Sequence, residues 1–312
     1  MIFSKPKFWD DKQPSIWSII LYPFSIIYLL IMIINKNLLS QKKFTIPIIC
    51  VGNIYVGGTG KTPLAIEVYK IFKFLGKNPC FVKKGYDLVN DEVEMLKEIG
   101  RTFNSKNRKK SLISAVSQKH DVAIFDDGFQ DFSIKKDISI LCFHSKQLIG
   151  NGNIIPSGPL REGLGSIKRA DCILINGSIN LNFEKKLQKI NDNIKIFYSS
   201  YKLKNIEDFK DKEIIAFAGI GNPSNFFDLL KENSLNVKKV HHFPDHYNYS
   251  DKDFEDIFKK NYNYDNTKIV TTKKDYFRLN EKQKLMCNYI DIDLEIYKKN
   301  DFVNFIKSKI WK

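Results

Sequence analysis

The chain is poor in several features that would announce a function early. Its five cysteines (Cys50, Cys80, Cys142, Cys172 and Cys287) are scattered, odd in number and free of CxxC spacing. That pattern excludes a disulfide framework or a cysteine zinc site and suits buried thiols in a reducing compartment. No guanine-reading N-K-x-D follows a late strand; Ile173-Leu-Ile-Asn-Gly-Ser offers Asn176 alone, which disfavours GTP. No small-residue cleavage site follows the apolar N-terminal stretch, which argues against a secretory signal peptide. No internal repeat or low-complexity segment stands out beyond a Lys/Asn bias. Acidic residues are in deficit, 35 Asp+Glu against 50 Lys+Arg in 312 residues, for a net charge of +15. Such an excess draws anionic partners, although the abundance of Asn, Ile and Lys points to a compositional bias behind part of it. No clustered basic-aromatic motif accompanies the charge, which argues against nucleic acid.

What the chain does have is centred on Val51 to Tyr69, VGNIYVGGTGKTPLAIEVY. An apolar run, Ile46 to Val51, reads as a buried strand. It enters the turn Gly57-Gly58-Thr59-Gly60 and then a helical pattern opened by Lys61-Thr62-Pro63. Strand, glycine loop, Lys-Thr and helix are the parts of a phosphate-binding P-loop. Glycines admit positive φ and let backbone N–H groups approach phosphate, and the helix start adds unsatisfied donors. Lys61 is expected to reach the β/γ-phosphates and the Thr62 hydroxyl to bind Mg²⁺. The loop is a variant, because Tyr55 stands where the usual G-x-x-x-x-G-K-[ST] pattern has its first glycine.

A second signal is Ile16 to Ile34, nineteen residues without charge, with Lys5, Lys7 and Lys12 before it and Lys36, Lys42 and Lys43 after it. At about 1.5 Å per helical residue it is long enough to cross a bilayer. Trp17, Tyr22 and Tyr28 suit a membrane interface, and Pro23 kinks the helix. Basic residues on both sides leave spanning and monotopic placements open. Access to cytosolic ATP puts the globular part on the cytoplasmic face.

Beyond the P-loop, the spacing predicts a helix over Leu64 to Leu75, a strand from Asn78, a helix from Asp91 and another from Arg108 to Gln118. Asp121-Val-Ala-Ile-Phe-Asp-Asp-Gly reads as a strand ending in two carboxylates, Asp126 and Asp127, where this fold usually holds Mg²⁺. Strands at 138–143 and 172–175 flank Gly150-Asn-Gly-Asn-Ile-Ile-Pro-Ser-Gly-Pro-Leu-Arg-Glu, a long irregular loop of the functional kind. Arg161 and Glu162 at its end could meet phosphate and metal. The polar stretch Asn180 to Asp211 reads as a connector. A second α/β unit follows, with strands at 213–218 and 268–272, the loop Gly219-Ile-Gly-Asn-Pro, Phe243-Pro-Asp-His-Tyr, and a terminal helix near 301–310. Alternating strands and helices predict α/β architecture with a mostly parallel, doubly wound sheet and ligands at the strand C-termini. The expected division is a membrane-anchoring segment at 1–40, a P-loop nucleotide-binding domain at 41–200 and a smaller α/β domain at 201–312. These parts describe an Mg²⁺-dependent ATP enzyme attached to a membrane. Candidate bases for a kinase are Asp91 and His246, each of which also reads as a cap or turn residue.

VGNIYVGGTGKTP, GYDLVNDE, DDGFQ, GNGNIIPSGPLRE, AGIGNP, FPDHY and TTKKD, in this order, resemble the tetraacyldisaccharide 4'-kinase (lipid A 4'-kinase) family. The likeness runs from about Ile46 to Asp275. It implies two α/β/α domains and transfer of the ATP γ-phosphate to the 4'-hydroxyl of a tetraacylated disaccharide 1-phosphate at the inner membrane. It further implies that Lys61 and Thr62 hold phosphates and Mg²⁺, and that Asp126, Asp127, Gln130 and Glu162 form the metal and phosphate site beside Arg161. Asp91 becomes the catalytic base, partnered by His246. Four departures from the family pattern stand out: Lys83-Lys84 for Ser-Arg, Asn90 for Gly, Asp131 for His and Tyr247 for His. An anionic phospholipid surface is an expected partner, and no obligatory protein partner is inferred. The rival reading is a membrane-tethered P-loop NTPase switch, which needs no lipid acceptor.

Overall fold

The N-terminal apolar stretch folds as one helix, α1 (Ile16–Leu38), whose buried residues are Ser18 and Ser25. Ser15 caps it, its hydroxyl accepting from the Trp17 amide. The computed structural model describes residues 5–11, 13, 15–85, 91–257 and 266–311, so Tyr86 and Asn90 of the sequence motifs lie outside the described residues. Next come β1 (Ile48–Gly52), α2 (Lys61–Phe74), β2 (Pro79–Lys84), α3 (Asp91–Ile99), β3 (Thr102–Ser105), α4 (Arg108–Ser117), β4 (Val122–Asp126), β5 (Ile138–His144) and β6 (Cys172–Asn176). They are followed by α5 (Leu181–Gln188), β7 (Lys195–Leu203), β8 (Glu213–Ala218), α6 (Pro223–Glu232), β9 (Asn236–His242) and α7 (Asp251–Ile257). The chain closes with β10 (Thr267–Thr272), α8 (Lys273–Tyr276), α9 (Glu281–Lys284), β11 (Asn288–Ile290), β12 (Ile292–Ile296) and α10 (Lys299–Ile310).

Two compact units result. The described residues within 6–88, 96–200 and 294–312 form the larger, and those within 1–5, 89–95 and 201–293 the smaller. In the larger unit eight strands lie in the order β12-β7-β6-β5-β1-β4-β2-β3. From β7 to β3 every neighbouring pair is parallel. Strands β1, β4, β5 and β6 are buried at every position, as a sheet covered on both faces requires. The order reverses at β1, which has β4 on one side and β5 on the other. Val51 is level with Asp126 in the ladder, so the loop leaving β1 starts beside the acidic end of β4. That is the switch point at which such sheets bind ligands.

Part of the expected connector at 180–211 is regular structure. It contains α5, which buries Phe183 and Leu187 four residues apart, and β7, a strand of the large sheet. Its low apolar content hid both, because α5 needs only two apolar side chains to seat it. The last strand and helix also depart from the expected division. β12 joins the eight-stranded sheet, and Leu294 to Trp311 belong to the larger unit instead of a second domain running to the C-terminus.

The smaller unit is a four-stranded parallel sheet in the order β11-β10-β8-β9. Alternation along β8 builds a core on each face. Ile214, Ala216 and Ala218 pack with Phe226, Phe227 and Leu230 of α6. Ile215 and Phe217 pack with Tyr249 and with Phe254 and Ile257 of α7.

Candidate functional site

In the larger unit the turn after β1 takes the shape its glycines permit. Gly57 and Gly60 have φ of 112° and 94°, in the left-handed region. Gly60 caps α2, and Lys61 is its first residue. Asn53 braces the turn, its side-chain amide donating to Thr59 Oγ1 at 2.9 Å and to the Gly57 carbonyl at 3.3 Å. Thr62 Oγ1 donates to Asp126 Oδ2 at 2.9 Å. Lys83, at the end of β2, donates to the same oxygen at 2.6 Å. The second oxygen of Asp126 is buried without a hydrogen-bond partner.

Asp127 also stands in the left-handed region, with φ of 59°. Its Oδ1 accepts from Arg161 at 2.8 Å, and Lys61 Nζ lies 3.8 Å from its Oδ2. Burial raises the Asp127 pKa, but Lys61, Arg161 and Lys83 outweigh it and hold the carboxyl below its ordinary range. Arg108 donates to the Asp127 carbonyl at 2.6 Å and pairs with Asp131 at 3.3 Å. Asp131 also accepts from the Ser133 amide and hydroxyl, which accounts locally for the aspartate at that position.

Arg161 and Glu162 reach this place through backbone pairing with the P-loop segment. The Arg161 amide donates to the Ile54 carbonyl and the Val56 amide to the Pro159 carbonyl. Glu162 spends both oxygens on Arg169, at 2.8 and 2.9 Å, and Oε1 also accepts from Gln130 at 3.0 Å. Gln130 donates to the Asn53 carbonyl as well. The expected metal set therefore divides. Thr62 and Asp126 form one locus with an oxygen to spare, whereas Glu162 and Gln130 brace the loops around it. Among the described residues no group of three or more His, Cys, Asp or Glu is arranged to hold a metal ion. Mg²⁺ in nucleotide sites asks for less, one or two protein oxygens with phosphates and water. Thr62 Oγ1 and the unpartnered Asp126 Oδ1 fit that demand.

The same loop is bonded to α1. Ser157 Oγ donates to the Ser18 carbonyl at 2.6 Å, its amide donates to Ser25 Oγ at 3.1 Å, and Ser25 Oγ donates to the Ile154 carbonyl at 2.7 Å. Trp9 Nε1 donates to the Pro156 carbonyl at 3.0 Å, and the Tyr55 hydroxyl donates to Asp10 at 2.6 Å.

The second cluster lies within the smaller unit. Asp91, the first residue of α3, has a side chain only 1% exposed. Its Oδ1 accepts from the Glu92 amide at 2.8 Å, and its Oδ2 from Arg278 Nε at 2.6 Å. His246 Nδ1 stands 3.3 Å from the same Oδ2 without hydrogen-bond alignment. Lys274 Nζ lies 3.3 Å from His246 Nε2 and pairs with Glu92 at 2.9 Å. An ammonium only donates, so Nε2 accepts and the ring proton is assigned to Nδ1, on the Asp91 side. Burial raises the Asp91 pKa, yet His246, Lys274 and Arg278 together bring it well below the carboxylate range. Tyr247 has its own partners: its hydroxyl reaches Asp253 at 3.3 Å and its ring meets Phe243 and Tyr249.

Lys83, Arg108, Arg169 and Arg278 were not singled out as site residues from sequence. Lys83 alone carried a signal, as a lysine near the end of a predicted strand; that strand, β2, pairs with β4 and sets Lys83 level with Asp126.

A family model described as tetraacyldisaccharide-1-P 4'-kinase matches residues 17–104 and 87–311. The tetraacyldisaccharide 4'-kinase of Pelagibacter ubique (strain HTCC1062) is 42% identical over 310 residues, covering 97% of each chain. That of Rickettsia canadensis (strain McKiel) is 33% identical, covering 98% of this chain and 96% of the relative. The crystal structure of LpxK from Aquifex aeolicus in complex with ATP superposes with a TM-score of 0.69 at 25% identity, over 94% of this chain and 99% of that one. Matches that span both units and nearly every residue leave no separate module to explain, and the chain belongs to the tetraacyldisaccharide 4'-kinase family.

Proposed function

We propose that the chain transfers the γ-phosphate of ATP to the 4'-hydroxyl of a tetraacylated disaccharide 1-phosphate, at the cytoplasmic face of the inner membrane. The observation that carries this reading is the Thr62–Asp126 pair at the start of α2, with one buried Asp126 oxygen left for a cation. In a loose phosphoryl-transfer transition state the protein's work is positioning and charge stabilisation. Backbone donors from Gly57 to Thr62 and the Lys61 ammonium bind the phosphate oxygens. Thr62 and Asp126 would hold Mg²⁺, which would supply charge neutralisation at the phosphates. Arg161 and Lys61, both beside Asp127, supply further positive charge.

Asp91 accepts the hydrogen bond of the acceptor hydroxyl. A carboxylate held ionised by three cationic or donor neighbours is a weak base, so its first contribution is orientation. It takes the proton only as the new P–O bond forms and the hydroxyl acidifies. His246 lies against the same oxygen and shares the charge that develops. The helix α1 holds this machinery at the bilayer. It averages a hydropathy of 2.3 over its most apolar window, 11% of which is buried, and its exposed Ile, Leu and Phe side chains meet lipid. An acylated acceptor stays in the membrane, so the enzyme goes to it. The test is purified protein with Mg-ATP and the disaccharide acceptor in mixed micelles. Phosphorylated lipid is the expected product. Acceptor-independent ATP hydrolysis with no phosphorylated lipid would remove the kinase reading.

A further inference from the structure

Both neighbours of Asp91 Oδ2 hang on one backbone carbonyl. Gly219, at the C-terminal end of β8, accepts from the His246 amide at 3.1 Å and from Arg278 Nη1 at 2.8 Å. His246 is held there with φ of 56°, a left-handed conformation that a histidine keeps only where its surroundings fix it. Gly219 fits because a Cβ would come within 2.8 Å of the Tyr249 hydroxyl and 2.9 Å of the Pro244 carbonyl. Arg278 completes the arrangement by reaching Asp275 Oδ1 with the same Nη1, at 2.9 Å. Asp275 is wholly buried, and accepts from Gly219 N and Tyr249 OH on Oδ1 and from Thr272 Oγ1 on Oδ2, at 2.6 to 3.0 Å. The guanidinium is therefore fixed by three acceptors through Nε and Nη1, with a side chain 8% exposed. A lysine could not reproduce that fork.

We infer that Arg278 is a positioning residue of the transfer, its fixed guanidinium holding the Asp91 carboxylate in the orientation that meets the acceptor hydroxyl. The inference rests on the kinase reading. Of the groups facing Asp91 Oδ2, Arg278 is aligned at 2.6 Å, whereas His246 is 3.3 Å away and unaligned. Arg278 thus sets where the oxygen sits, and His246 is left to respond to the reaction. Removing the guanidinium frees a carboxylate whose place sets the attack geometry, and a displacement of about 1 Å can cost about 10²-fold in rate.

The experiment uses full-length protein and measures kcat, KM for the acceptor, ATP affinity and Tm for Arg278→Lys, Arg278→Gln and Arg278→Ala. Parent enzyme that forms no phosphorylated lipid removes the kinase reading itself. With an active parent, Arg278→Gln is expected to lower kcat by about 10²-fold, with ATP affinity unchanged. Arg278→Lys is expected to restore little of it, and low-millimolar guanidinium ion to raise the turnover of Arg278→Ala. The pH profile adds a readout that mere packing would not move. The charged and titratable groups around Asp91 are Glu92 on α3, Asp245, His246 and Tyr249 from the β9–α7 loop, and Lys274, Asp275 and Arg278 on and after α8. Loss of Arg278 leaves two of the three positive or proton-donating neighbours, and kcat is expected to gain an acid limb at higher pH than in the parent. Should Arg278→Gln melt too low to assay, Arg278→Lys and a cycle with Asp91→Asn decide. Two residues acting as one unit lose no more together than Asp91→Asn loses alone. Parent-like kcat in Arg278→Lys, or losses that multiply in the double variant, would overturn the assignment.

Discussion

At Asp126 two donors converge on one carboxylate oxygen while the other has none. Lys83 supplies the only full positive charge among those donors, and both side chains are buried, 10% and 0% exposed. Breaking a buried pair from one side leaves an uncompensated charge, so Lys83→Met is expected to lower stability by about 3 kcal/mol. Chemical denaturation measures it, with Lys83→Arg as the charge-preserving control; equal stability of parent and Lys83→Met would show that Asp126 does not depend on it. Asp91 makes a pH prediction. Its folded-state pKa lies below the unfolded value of about 3.9. Its stabilising contribution is therefore complete above that value and is lost as pH falls through the folded value. The Tm gap between parent and Asp91→Asn is expected to stay level from pH 8 to about 5 and to narrow below about 4. A gap that instead closes near neutrality would contradict the ion-pair assignment. Which of these residues could be read beforehand follows from distance along the chain. Lys61 and Thr62 open the helix after the glycine loop and Asp126 and Asp127 close a strand, each in a short motif, so their types and order announce them. Arg278 meets Asp91 across 187 positions, and no local pattern joins the two.

Elements follow the same rule. Strands β1, β4, β5 and β6 are fully buried and so appear as uninterrupted apolar runs, legible one by one. β7 and α5 are half-solvated, mix lysine with aromatics, and read as linker until the sheet is seen to extend through them. The loop from Gly150 to Glu162 was legible as functional from its glycine and proline content, but not its attachment to α1. That attachment uses serines, which in a membrane helix pass for neutral filler. Ser25 Oγ both accepts from the Ser157 amide and donates to the Ile154 carbonyl. Ser25→Ala strands the Ser157 amide, while the Ile154 carbonyl keeps the Gly158 amide, and is expected to cost about 1–2 kcal/mol. Ser18→Ala is expected to change little, because its hydroxyl bonds Ser15 within the helix and it is the Ser18 carbonyl that Ser157 reaches. Thermal melts in detergent compare the two; equal effects would mean that the helix is held by packing alone.

Over the whole molecule, the proposed membrane attachment draws on two features that obey different physics, the net charge of +15 and the exposed apolar helix. Burial of apolar side chains is indifferent to salt, whereas attraction to anionic headgroups fades beyond a Debye length of about 8 Å at physiological ionic strength. Replacing the exposed Ile19, Ile26 and Ile27 by serine keeps the Ser18 and Ser25 bonds while weakening the lipid-facing side. The variant is expected to float with anionic vesicles at low salt and to be released at high salt; undiminished flotation at high salt would assign membrane binding elsewhere. The division into two units was foreseeable from two rounds of strand-and-helix alternation. The return of Leu294 to Trp311 was not, since a final strand and helix carry no mark of which sheet they complete.

Ser157 grips α1 at Ser18 and again at Ser25, two helical turns further along. A peg at a single level would let the cylinder roll about its axis; two levels on one side forbid it. The azimuth of that cylinder is handed on, through Pro159 to Arg161, to the segment that leads into the glycine turn. A single serine thereby ties the setting of the apolar helix to that of the glycine loop.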